Sequence, residues 1–225
     1  MNVKFIKKLA VIFLIIISAL LLTACKEELT LDPYVSELRK DVYSGSSSNY
    51  TLKAGYGFKE TPYSTDGSAN QKVWLLTFKL VDKETDGATY TLSCSLIGTE
   101  YNTTFKLSPV SHALTAAIEI ENFNEKQFTV NISVGGNSES VTMTSTLPEQ
   151  TIDSSTALKH LWEKQPELIN SYFIDGTFNG EIHERVLVKD DKPYYYIGLY
   201  SKDKNLKALL IDGLNGDVLA IREVI

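Results

Sequence analysis

From residue 50 to about 146 the chain alternates apolar and polar positions with a period of two. Tyr50, Leu52, Ala54, Tyr56 and Phe58 share one parity, and Trp74, Leu76, Phe78 and Leu80 repeat the pattern. Tyr90, Leu92, Cys94 and Leu96 do the same, with Thr91, Ser93 and Ser95 between them. Tyr101, Thr103, Phe105 and Leu107 follow, then Leu114, Ala116, Ile118 and Ile120, with Glu119 and Glu121 on the opposite parity. Phe128, Val130, Ile132 and Val134 make a sixth run, and Val141 and Met143 a weaker seventh. Successive side chains of a strand point to opposite faces, so each run reads as a half-buried strand. Seven such strands in roughly 100 residues, with turn residues between them, predict an antiparallel β-sandwich of Ig-like type. A closed barrel is the alternative.

The period changes on both sides of this block. Asp32 and Pro33 form a helix-start signal, Val35, Leu38 and Val42 have helical spacing, and Gly45 with Ser46 to Ser48 ends the run. This predicts a short helix of about three turns. After a linker at 148–155, Leu158, Leu161, Trp162, Ile169 and Tyr172 fall on one helical stripe that Pro166 kinks or restarts. Four strands are then expected at 180–189, 193–201, 205–212 and 217–224. Asp190-Asp191-Lys192 and Asn215-Gly216 supply the turns. Tyr195, Ile197 and Leu199 lie on one face of the second strand, and Tyr194, Tyr196 and Tyr200 on the other. A strand apolar on both faces is expected to be central. The expected class is mainly β with an α+β part, the latter a helix followed by an antiparallel meander.

The N-terminus carries an address. Lys4, Lys7 and Lys8 precede the apolar run from Leu9 to Leu22. As a helix that run reaches about 21 Å, short of the roughly 30 Å hydrocarbon core, which favours a secretory signal over a stop-transfer helix. Leu22-Thr23-Ala24-Cys25 follows, and this resembles the lipobox of bacterial lipoproteins. The resemblance implies cleavage before Cys25 and a diacylglyceryl group on its sulfur. Two acyl chains hold a protein stably at a membrane where one does not. Lys26 after the cysteine is similar to an outer-membrane sorting signal in a cell with two membranes; with one membrane, the address is the outer face of the plasma membrane.

The last segment is similar to the PepSY-like domains of bacterial envelope proteins. The matching residues are Lys192, Tyr194, Tyr196 and Ile197, and the run from Leu210 to Leu219 with Asp212, Gly213, Asn215, Gly216 and Val218 in the places of the family's terminal hairpin. The resemblance covers about 70 residues of the chain. It implies a module that binds or restrains peptidases or other envelope partners, and it brings no catalytic residues. The expected division is a signal peptide at 1–24, lipidated Cys25 with tether and short helix at 25–48, a β-sandwich at 49–147 and a PepSY-like domain at 148–225.

Charge narrows the partners. The 225 residues carry 22 Lys+Arg and 28 Asp+Glu, a net charge of −6, and removal of 1–24 leaves 19 basic against 28 acidic side chains. An acidic body does not fit a nucleic-acid partner, which needs clustered Lys and Arg. It also tends to stand off an anionic membrane. With Cys25 used by the anchor, Cys94 has no intramolecular partner.

No constellation of residues points to catalysis. His112, His160 and His183 lie far apart with no metal-ligand spacing. Cys94 shares its parity with Leu92 and Leu96 and reads as an inert core thiol. Asp82, Glu84, Asp86 and Gly87 start like a calcium loop, but Ser93 stands where its terminal Glu belongs, so a hairpin turn is expected. Asp212, Asn215 and Asp217 are accounted for by their turn. The glycosylation triplets at Asn49, Asn102 and Asn131 are set aside because the lipobox is bacterial. Tyr194, Tyr196 and Tyr200 are the candidate recognition surface. The expected function is a non-enzymatic envelope lipoprotein, without metal or cofactor, that binds a protein or peptide. A small-ligand or glycan-binding lipoprotein is the alternative.

Overall fold

The computed structural model describes residues 30–61, 71–81, 87–109, 111–202 and 205–224. The segment expected to be a short helix is instead the strand around which the sheet is organised. Asp32–Tyr34 makes a single 3-10 turn, with Pro33 in it, and the chain passes directly into β1 (Val35–Ser46). The physical reason is a pair of register shifts. One lies between Val35 and Glu37 against a parallel neighbour, the other between Arg39 and Asp41 against an antiparallel one. A bulge inserts a residue and resets the alternation. Val35 therefore sits in one core with Leu38 and Val42 packed against it, at spacings of a helical kind, while the backbone stays extended.

The strands that follow match the period-two runs: β2 (Thr51–Glu60), β3 (Lys72–Val81) and β4 (Thr91–Leu96). The run from Tyr101 to Leu107 is split into β5 (Thr99–Thr104) and β6 (Lys106–Leu107) by the buried Phe105. Then come β7 (Leu114–Glu119), β8 (Gln127–Val134) and β9 (Asn137–Ser145). The path β6-β7-β3-β2-β1 continues through β9, β8, β4 and β5 on the other side of β1. The fold is thus mainly β and antiparallel, a nearly closed sandwich or barrel.

Its core is built from cross-strand pairs. Leu52 faces Leu80, Ala54 faces Phe78 and Tyr56 faces Leu76. Leu52, Leu76, Leu92, Val130, Ile132, Val141 and Met143 are essentially sealed from water. Each large apolar side chain so buried contributes about 1.5–3 kcal/mol. Phe123 plugs this core. Its N–H donates to the Tyr56 hydroxyl at 3.1 Å, and its ring meets those of Tyr43, Tyr56 and Phe128 edge-on.

The C-terminal part begins with α1 (Ser154–Lys164), capped by the Asp153 carboxylate accepting from Thr156 N–H at 2.7 Å. Pro166 starts a second helix, α2 (Pro166–Asn170). A small hairpin of β10 (Phe173–Ile174) and β11 (Thr177–Phe178) leads into the meander β12 (Gly180–Lys189), β13 (Lys192–Ser201), β14 (Leu206–Asp212) and β15 (Val218–Val224). Asp190 and Asp191 form the β12–β13 turn, both at positive φ of 51° and 58°. Ala157, Leu158, Leu161, Ile182, Val186, Tyr195, Ile197, Leu209 and Ile211 form a second core between the helices and one face of this sheet. Leu31, assigned by its sequence position to the tether, is 1 % exposed within it.

The two parts share one sheet. The first half of β1 pairs in parallel with β12, Val35 against Ile182 and Arg39 against Arg185, while its second half pairs with β9 through Tyr43 and Ser44. The expected boundary between 147 and 148 is thus crossed by backbone pairing, and Leu31–Ile225 is a single compact unit. Trp74 packs against both cores, with its ring 5.1 Å from Phe58 and 5.3 Å from Tyr56.

Candidate functional site

Because β1 hands its partner over from β12 to β9, the end of the β12–β13 hairpin leaves the barrel strands. Leu187, Val188, Asp190 and Asp191 then bound a groove of about 1070 Å³ over the outer face of β1, β2, β3 and β7. The floor follows the register. Val42, Gly55, Thr77 and Ala117 form one rung, and Ser44, Lys53, Lys79, Thr115 and Lys106 the next. The floor is smooth because Gly55 and Ala117 bring little or no side chain. The Thr77 hydroxyl is turned down to donate to the Gly55 carbonyl at 3.0 Å. The Arg39 side chain lies flat across Gly55, where an added Cβ would sit 2.9 Å from its Cδ.

On the same sheet face, across β1, lies a charged and aromatic cluster. Arg185 on β12 makes a two-pronged bond to Glu37 on β1, Nε to Oε1 at 2.7 Å and Nη2 to Oε2 at 2.9 Å. Burial pushes the Glu37 carboxyl up, but these bonds and the guanidinium charge outweigh it and hold the group below its ordinary value. His183 is 7 % exposed, with Nε2 at 3.2 Å from Glu181 and its ring 4.3 Å from that of Tyr200. Burial pushes its imidazole down to about 4, helped by Arg185 and opposed by Glu37, so the ring is neutral at neutral pH.

The opposite face of β12 holds a group that sequence reading missed. Glu184 is 0 % exposed in the second core, accepting from the Ser154 hydroxyl at the start of α1. Burial pushes its carboxyl up to about 8. Its signal in the sequence was weak but present: an acid on the same parity as Ile182 and Val186.

Of the recognition candidates, Tyr194, Tyr196 and Tyr200 share the outward face of β13 and are half-buried, while Tyr195 turns inward and its hydroxyl donates to the Ile152 carbonyl. Tyr196 lies beside Arg185 and Leu210 across the strands. Cys25 and the acids Asp82, Glu84 and Asp86 lie outside the described residues. Cys94 is buried in the first core. His160 Nδ1 lies 3.0 Å from the Asn215 carbonyl, at the β14–β15 turn. In that turn Asp212 and Asn215 accept from Leu214 and Asp217 N–H. The structure does not bring the three histidines together, and among the described residues no group of three or more His, Cys, Asp or Glu side chains is placed to hold a metal ion. Compared with protein-family models, with curated proteins and with solved structures, the chain finds no match in any of the three.

Proposed function

We propose that the chain is an envelope lipoprotein, anchored through Cys25 on the outer face of a membrane, that binds a protein or peptide and carries out no catalysis. In this reading the barrel strands are an Ig-like module and the C-terminal meander is PepSY-like. The observation that supports it is the edge of the sheet. β15 pairs with β14 and, among the described residues, with no strand on its other side, and it exposes Leu219 at 50 % and Ile221 at 48 %. An apolar strand edge is a template for an added strand, with main-chain bonds giving affinity and side-chain pockets giving selectivity. The half-buried tyrosines of β13 lie two strands away in the same sheet.

The experiment places a photo-crosslinking side chain at Leu219 in the anchored protein in cells. A partner captured there and lost on Ile221→Pro, which removes an edge N–H, supports the reading; unchanged capture in that variant sinks it. Mass spectrometry of the N-terminus tests the anchor, and Cys25→Ala is expected to release the protein from the membrane fraction. A second reading, a small-ligand or glycan-binding lipoprotein, is favoured by the groove over β2 and β3.

A further inference from the structure

The groove has a charge that the protein as a whole does not. Lys53 and Lys79 stand directly opposite each other on neighbouring strands, and Lys106 closes the same rung on β6 beyond Thr115. Like charges directly opposite on a sheet repel. All three are exposed, and among the described residues none forms an ion pair. Three ammonium groups therefore converge on one recess in a chain of net charge −6. From these observations we propose that the groove binds a linear polyanion of the phosphate class, laid across β2, β3, β7 and β6. This rests on the second reading above and not on strand addition at β15.

The length of the rung sets the size of the ligand. From β2 to β6 there are three strand spacings, about 14 Å, which is longer than one phosphate and suits several repeated units. The hydrogen-bonding character of the rung sets its chemistry. Lysine donates and never accepts. The Thr77 and Thr115 hydroxyls already donate, to the Gly55 and Lys106 carbonyls. β2 and β3 are each paired on both sides, so their backbone groups are taken. The charged groups of the rung are therefore all donors, which fits phosphate oxygens. Lys53 and Lys79 are one strand spacing apart, about 4.8 Å, closer than the roughly 6.6 Å between same-face side chains of an extended acidic peptide, so a chain charged at every unit matches the rung better. The recess also fits a free chain better than a planar bilayer. Asp190 and Asp191 on the hairpin wall oppose an anion, which keeps the ligand on the lysine side.

The test is binding of inorganic polyphosphate to the full chain in detergent micelles, with orthophosphate, polyglutamate and anionic vesicles as comparison arms. Polyphosphate is expected to bind with an affinity that falls as salt rises. Each of Lys53→Gln, Lys79→Gln and Lys106→Gln should weaken it about fivefold. Lys126→Gln, whose lysine pairs with Asp41 elsewhere, should leave binding unchanged. Ala117→Trp keeps every charge and fills the exposed floor, so it should abolish binding while the thermal transition persists. The proposal is overturned if polyphosphate does not bind, if the triple lysine variant binds like the parent, or if Ala117→Trp has no effect. It is equally overturned if orthophosphate, polyglutamate or vesicles bind as well as polyphosphate. Variants at Leu219 and Ile221 should leave this binding intact, so failure here and failure of the β15 reading are separable.

Discussion

Arg185 and Glu37 are joined by two parallel hydrogen bonds of 2.7 and 2.9 Å across the parallel pairing of β12 with β1. That pairing is the seam between the barrel strands and the C-terminal meander. Parallel pairing is slightly less stable per residue than antiparallel, so a side-chain clamp matters here. The carboxylate is 25 % exposed and the guanidinium 37 %, so the pair is neither fully screened nor fully desolvated. Arg185→Ala and Glu37→Ala are each expected to destabilise by about 1–3 kcal/mol, with a coupling of about 1 kcal/mol in the double variant. Urea unfolding of the four proteins measures this. Strict additivity would show that the clamp contributes nothing beyond packing.

Stability should depend on pH through two neighbours on β12 that face opposite ways. Glu184 titrates near 8 when folded, against 4.5 for its ordinary value, so the folded chain holds a proton the unfolded chain has lost. Its contribution is complete at low pH and declines as pH rises from about 4.5 to 8. His183 titrates near 4 when folded, against 6.5. Its contribution is complete above 6.5 and declines as pH falls toward 4. The two trends oppose each other between about 4.5 and 6.5 and leave stability nearly flat there. Above 6.5 only the Glu184 decline remains. Glu184→Gln should therefore be the more stable protein at pH 8, by on the order of a few kcal/mol. His183→Gln should keep the alkaline decline and lose the acid one. Melting curves from pH 4 to 9 decide, and an alkaline decline that survives Glu184→Gln would assign it elsewhere.

The barrel strands were legible because their faces are pure. Leu52, Ala54 and Tyr56 face Leu80, Phe78 and Leu76 in an unbroken register, so period two survives in the sequence. The meander was legible because its turns are local, two residues at Asp190-Asp191 in the first case. β1 was not, because its bulges scramble the alternation and its partner β12 lies almost 150 residues away, beyond any local pattern. The tyrosine side of β13 could be read from parity. The lysine groove could not: Lys53, Lys79 and Lys106 come from three strands, and only the pairing of β3 with β7 brings the third to the first two.

Cys94 is a core thiol by both routes. It is 3 % exposed between Leu92 and Leu96, and burial, with a smaller push from Glu100, raises its thiol to about 11. Thiolate is the reactive form, and almost none is present at neutral pH. A disulfide reagent added to the native chain at pH 7.5 should leave Cys94 unmodified for hours, then react within minutes once urea unfolds it. Rapid modification without unfolding would mean that the β4 face is open to water.

The β14–β15 turn is held against α1 by two side chains. His160 Nδ1 sits 3.0 Å from the Asn215 carbonyl, and Lys164 pairs with Asp217. Gly216 lies between them at φ 71°, and a Cβ added there would come within 2.2 Å of His160 Nδ1 and 2.8 Å of its Cβ. The near contact involves the root of the ring as well as its edge, so a rotamer change alone does not relieve it. Gly216→Ala therefore meets two costs: left-handed backbone strain of about 1 kcal/mol, and displacement of His160 from the turn. Together they should destabilise by about 2–3 kcal/mol. In a His160→Ala background the collision is gone and the same substitution should lose only the strain, about 1 kcal/mol. Urea unfolding of the four proteins separates the two contributions. Equal costs in both backgrounds would mean that the turn moves away from the helix instead of pressing on it.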